Sequence, residues 1–232
     1  MNTDLGPAPS AWVRTIGPWG EPLHLRDAAV MLLLFVGAVL AWCAVLTPLE
    51  AALGLPLARG GNVATTANYR DALWHLATGF AIALPMRNRW LYALLPLLSL
   101  GLDVDHLFGA AFPTPFPREA HDIVFVLIAS VALYLLAGRF LAGAAAAGWI
   151  VHIAVDGGGF PLLAPFLAGR FALSYPAAVL GLVLAGTVAF LAVRPVRAFL
   201  KPREILPLVV ALALLALLLY WVAPGFNAFT TA

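Results

Sequence analysis

The sequence predicts an all-α, polytopic membrane helix bundle of about seven spans, several of the middle ones short and arranged round a polar metal site. Three observations lead there. Of the 232 residues, 63% are hydrophobic and 10% charged, with a mean hydropathy of +0.96, whereas roughly a quarter of residues are charged in soluble domains. Apolar runs recur at close to the ~20 residues a helix needs to cross a bilayer. Four of the five histidines also stand beside aspartates within those apolar surroundings: Asp71 with His75, Asp103 and Asp105 with His106, His121 with Asp122, and His152 with Asp156. Histidine and carboxylate together inside a membrane are costly unless they share something, and a divalent metal ion is the commonest answer.

Taken in order, residues 1–27 read as a tail. They are rich in Pro, Gly and Trp and lack the basic start and short apolar core of a secretory signal, so the tail is expected to be retained and to touch the membrane surface through Trp12 and Trp19. A single helical domain, 28–223, follows, with spans expected near Ala28–Leu46, Asp71–Met86, Trp90–Leu102, His121–Leu136, Phe140–Val155, Ala172–Val193 and Ile205–Ala223, and residues 224–232 form a second tail. The first, sixth and seventh spans are long and free of charge, which fits a scaffold against lipid. The four between them are short, and each carries its polar residues at one end only, as helices do round a polar cavity. Gly143 to Gly148, with only alanines between, reads as close helix packing. Cys43 is the only cysteine, so neither a disulfide within the chain nor a thiolate metal site is expected.

The basic residues set an orientation. With the amino terminus cytoplasmic, nine of the thirteen fall on the cytoplasmic side (Arg14, Arg26, Arg87, Arg89, Arg139, Arg194, Arg197, Lys201, Arg203) and four outside (Arg59, Arg70, Arg118, Arg170). The positive-inside rule then puts the carboxyl terminus outside. All four His/Asp motifs reach the same face, the outer one. The net charge of +2, spread over scattered arginines, gives no reason to expect a nucleic-acid partner.

Spacing brings the motif residues together. Positions i and i+4 share a helix face, so Asp71 with His75 and His152 with Asp156 each present an imidazole and a carboxylate side by side. Imidazole and carboxylate suit zinc first, with manganese or iron as alternatives, and the ligand count permits one ion or two. Two ions ~3.5–4 Å apart would clamp both oxygens of a phosphoester displacement. Other roles stay open. Asp71 and Asp122 can be helix N-terminal carboxylates or partners that orient a histidine, and Asp105 can hold the loop. His24, in the tail, is expected to have no role.

The run Leu102, Asp103, Val104, Asp105, His106, then His121, then His152, Ile153, Ala154, Val155, Asp156 with Pro161 to Phe166 after it, resembles the YdjM-like inner-membrane metal-dependent hydrolases of bacteria and archaea. His75 with Gly79 fits that family's early histidine and glycine. The resemblance covers roughly residues 71–171 and implies metal-dependent hydrolysis at a prokaryotic inner membrane, with a distant likeness to zinc-dependent phospholipase C and single-strand nucleases. It departs from the family at Leu102 (proline there), at Asp122 (serine there), at Arg118 (displaced by one position) and at the glycine loop Gly157 to Gly159, which lacks a Thr-Pro pair.

The expected ligands are His75, Asp103, His106, His121, His152 and Asp156, in some subset. A bound ion would lower the pKa of a water and polarise an ester, with Asp105 or Asp122 as general base and Arg118 neutralising a phosphate. A site at the bilayer surface suits a membrane lipid or other amphiphile, such as a phospholipid or polyprenyl phosphate. Two other classes compete. A metal-ion or proton transporter needs polar groups through the membrane, yet the inner halves of the middle spans are apolar. A non-catalytic protein with a structural metal would show filled coordination.

Overall fold

The computed structural model describes residues 23–52, 69–105, 119–160, 171–193 and, nearer the carboxyl terminus, 206, 209, 210 and 212–215. Its architecture is helical, and one end of the bundle gathers the polar residues.

Helix α1 (Leu25–Ala52) starts on the backbone of His24, whose carbonyl accepts from the amides of Asp27 and Ala28. The Asp27 carboxylate accepts in return from the His24 amide at 2.9 Å, which satisfies donors that a helix start leaves orphaned. Helix α2 (Tyr69–Ala83) runs into a 3-10 turn, Leu84–Met86, and stops at Arg87, which is left-handed at φ 50°. Asn88 then caps α3 (Arg89–Leu100), accepting from the amides of Trp90 and Leu91 at 3.0 Å each. The α2–α3 crossing is close because Gly79 lacks a side chain: a Cβ there would stand 2.8 Å from Pro96 Cα.

A 3-10 turn at Gly101–Asp103 ends α3, and a second at Glu119–His121 leads to the longest helical stretch, α4 (Ile123–Asp156), capped by Asp122. Gly138 interrupts α4 at φ 77° and ψ 178°, a conformation essentially confined to glycine. In a straight helix residues 121 and 152 would stand ~45 Å apart. Their Nε2 atoms are 2.9 Å apart, and the Trp149 indole reaches the Ala120 carbonyl, so α4 is a helical hairpin folded at Gly138. The two arms match the expected fourth and fifth spans. Gly157, at φ 69°, closes the second arm through its amide on the Ile153 carbonyl.

The architecture is all-helical, as expected, apart from a short antiparallel pair, β1 (Gly158–Phe160) with β2 (Phe171–Ala172). Helix α5 (Tyr175–Val193) packs chiefly on α4. Gly181 meets Ala154 and Gly143 meets Ala192, so α5 runs antiparallel to the second arm of α4. Gly148 lets that arm press on α3, since a Cβ there would lie 2.9 Å from Leu98 Cβ and 3.1 Å from the Ser99 nitrogen. The Gly-Ala run thus packs on two helices, as its composition predicts.

Among the described residues, three stretches are long and apolar enough to cross a membrane: Leu25–Val45, Ile123–Asp156 and Pro176–Val193. The expected second span is a shorter apolar helix, Ala72–Met86, and the expected third is α3, of 12 residues. Of the expected seventh span, only residues 206, 209, 210 and 212–215 are among those described, and they are helical. Leu127, Ile128, Val131, Leu135 and Leu136 lie exposed along the first arm of α4, the surface a helix presents to lipid.

Candidate metal centre

The polar residues of the centre come from the ends of elements, apart from His75, which lies near the middle of α2. His75 lies in the second turn of α2, and Asp103 and Asp105 follow α3. His121 ends the 3-10 turn before α4, and His152 with Asp156 form the last turn of the second arm. His75, Asp105, His121 and His152 are fully buried.

The outer nitrogens of two histidines are committed. His152 Nδ1–H donates to the Ser99 carbonyl at 2.8 Å, and His121 Nδ1–H donates to Asp105 Oδ2 at 2.9 Å. A carbonyl oxygen can only accept, so the proton of neutral His152 sits on Nδ1 and its Nε2 carries a lone pair; the carboxylate of Asp105 does the same for His121. These two Nε2 atoms face each other at 2.9 Å. Asp156 Oδ2 completes a triangle with them, 3.4 Å from His152 Nε2 and 3.6 Å from His121 Nε2. Two imidazole nitrogens and a carboxylate oxygen converging in a buried place are satisfied by a shared proton or by a bound cation. The triangle has the right size: a tetrahedral ion with bonds of ~2.0–2.1 Å holds its ligand atoms ~3.3–3.4 Å apart.

Asp103 Oδ1 adds a fourth corner at 3.5 Å from His152 Nε2, and with 24% of its side chain exposed it is the most open carboxylate of the group. His75 approaches from the other side. Its ring stacks on that of His152, with centroids 4.1 Å apart and planes 9° from parallel, and its Nε2 lies 3.1 Å from Asp156 Oδ1. Among the described residues, two groups of ligand atoms could hold a metal ion: His75 with His152 and Asp156, and Asp103 with His121 and His152.

Five of the six expected ligands come together here: His75, Asp103, His121, His152 and Asp156. His106 lies outside the described residues, as do Arg118 and the side chain of Asp71. Both expected general bases make bonds outside the triangle. Asp105 stands behind His121, holding its Nδ1. Asp122 is the N-cap of α4: one oxygen accepts from the Phe125 amide and the other from the Trp42 indole at 3.0 Å. Position decides this, because Asp122 immediately precedes the first helical residue, where a carboxylate meets free amides and the positive end of the helix dipole.

Sequence reasoning missed three partners. The Ser99 carbonyl is a backbone group and leaves no mark in a sequence. Trp149 sits three residues before His152 on the same helix face, a spacing that a search for partners of the histidines would have flagged. Trp42 is hidden within a uniformly apolar span.

Comparison with models of known families, with curated proteins and with solved structures gives no match.

Proposed function

We propose that the protein is a membrane-embedded, metal-dependent hydrolase that cleaves a phosphoester in a lipid or other amphiphile at the outer membrane face. One observation carries the reading: the His121, His152 and Asp156 atoms form a ligand triangle whose histidine lone pairs are turned inward by fixed outer bonds. Backing of this kind, carboxylate or carbonyl behind each imidazole, is characteristic of histidines that bind metals.

His121, His152 and Asp156 would hold the ion, with His75 as a further ligand, and zinc suits the nitrogen and oxygen donors best. Such an ion, when bound, supplies Lewis-acid polarisation of the phosphoryl oxygen and acidifies water. With Asp105 occupied by His121 and Asp122 by the helix start, Asp103 takes the proton from the attacking water. As the water oxygen bonds to phosphorus the ester P–O bond breaks, and the departing alcohol oxygen takes up the proton held by Asp103. Arg118 and His106 remain the proposed phosphate-neutralising cation and additional ligand. Hydrolysis of this kind is what the resemblance to the YdjM-like family implies.

Hydrolysis is favoured over transport by the confinement of polar side chains. Among the described residues, the second arm of α4 is apolar and closely packed from Phe140 to Gly148, away from the centre, which offers no ladder of polar groups across the membrane. The test is hydrolysis by the purified, zinc-loaded protein in mixed micelles of phospholipid or polyprenyl phosphate, followed by ³¹P NMR. Phosphoester cleavage that disappears in Asp103→Asn while zinc stays bound supports the reading. Cleavage unaffected by that change, or by removal of zinc, contradicts it.

A further inference from the structure

The turn that carries His121 is short, and the chain before residue 119 lies outside the described set, yet this histidine has the closest partner in the triangle. Two tryptophans from different helices hold the residues on either side of it. Trp42, in α1, donates its indole N–H to Asp122 Oδ2 at 3.0 Å, and Trp149, in the second arm of α4, donates to the Ala120 carbonyl at 2.9 Å. An indole is a donor only, and in an apolar interior its N–H must find an acceptor. Many acceptors would serve; these two bracket position 121. Trp42 is further located by its ring, tilted 49° against Phe125 at 6.1 Å, which ties it to the first turn of α4.

The bracket also fixes height. Trp149 lies three residues before His152 on the same arm, so its bond to Ala120 sets how far along that arm the His121 turn is held. That register brings the two Nε2 atoms to 2.9 Å. Asp105 fixes the rotation of the His121 ring, through Nδ1. The backbone on either side of the ring is held at residues 120 and 122.

We propose that Trp42 and Trp149 are positioning residues of the metal centre, whose indole N–H groups clamp Asp122 and Ala120 and thereby hold His121 at bonding distance from the ion shared with His152. The inference rests on the metal-site reading above and deepens it: α1 becomes part of the site's support as well as a membrane span.

The test uses the full chain in detergent and three variants. Trp42→Phe and Trp149→Phe keep an aromatic ring and remove the N–H. Asp122→Asn keeps an oxygen to cap α4 and replaces the acceptor facing Trp42 by a donor. Two probes are read: cobalt(II) alone, by affinity and visible absorption, and the ¹⁵N signals of the imidazoles in metal-free protein. Each variant is expected to weaken cobalt(II) binding by roughly tenfold, the lower end of what loss of such support costs, to shift the ligand-field bands, and to move the His121 signals with helicity retained. Should a tryptophan variant fail to fold, Asp122→Asn still reports on the Trp42 side. Signals and affinity unchanged in the folded variants would overturn the clamp while leaving the metal site standing. A wild-type protein that binds no cobalt(II), with His121 signals that still move in the variants, would retain the clamp and remove the metal reading.

Discussion

A buried imidazole can be a packing residue, a proton carrier or a ligand, and what separates these is the partner of its second nitrogen. For His121 and His152 that partner is an acceptor, Asp105 Oδ2 or the Ser99 carbonyl, so in the neutral rings both inner nitrogens carry lone pairs. Asp105→Asn would keep an oxygen for His121 Nδ1 but lose the charge behind it. Zinc affinity, measured by competition with a chromophoric chelator, is expected to fall ~10–100-fold, and an unchanged affinity would show that Asp105 does not support the ligand. The His/Asp set was legible in the sequence because ionisable residues are expensive in apolar runs and are kept there chiefly for function. The division of labour among the aspartates was not. Asp105 and Asp122 are equally acidic and each neighbours a histidine in sequence, and only the third dimension shows one holding a ring and the other closing a helix start.

At the scale of elements, glycines decide how the ends meet. Gly138 reverses α4 and lets residues far apart in sequence come together. Gly148 allows α3 and α4 to approach until Ser99 reaches His152. Gly148→Val is therefore expected to push α4 off α3, costing ~1–3 kcal/mol of stability and weakening zinc binding with it. Gly37, in α1, has nothing within 4 Å of the position of a Cβ, and Gly37→Val is expected to leave both unchanged. Thermal unfolding and zinc titration of the pair check this, and equal behaviour of the two variants would sink the account of the crossing. The break between the fourth and fifth spans and the close packing of the Gly-Ala run could be read from composition alone. The part proposed for α1 could not: its apolar sequence reads as scaffold, and its bond to the α4 cap comes from an indole, a group equally at home against lipid.

Across the whole molecule, the described candidate ligands lie at one end of the bundle and the turn at Gly138 at the other, with exposed Arg139 beside it. With the proposed orientation, a single cysteine at exposed Ser174, near the centre, is expected to react with a membrane-impermeant maleimide on intact cells, in a background lacking buried Cys43. A cysteine at Arg139 should react only after permeabilisation. The opposite pattern would place the centre on the cytoplasmic face. That the motifs share one level was legible from the alternation of spans, because each chain reversal carries the next motif back to the same side. How many times the chain crosses was less so, since α2 and α3 are short. The most direct test of the central claim is the metal content of the purified protein by elemental mass spectrometry, beside a His152→Ala/Asp156→Ala variant. The account predicts a stoichiometric transition metal in the wild type, one or two equivalents, that is absent from the variant; no metal in either protein after resupply, or equal metal in both, would contradict it.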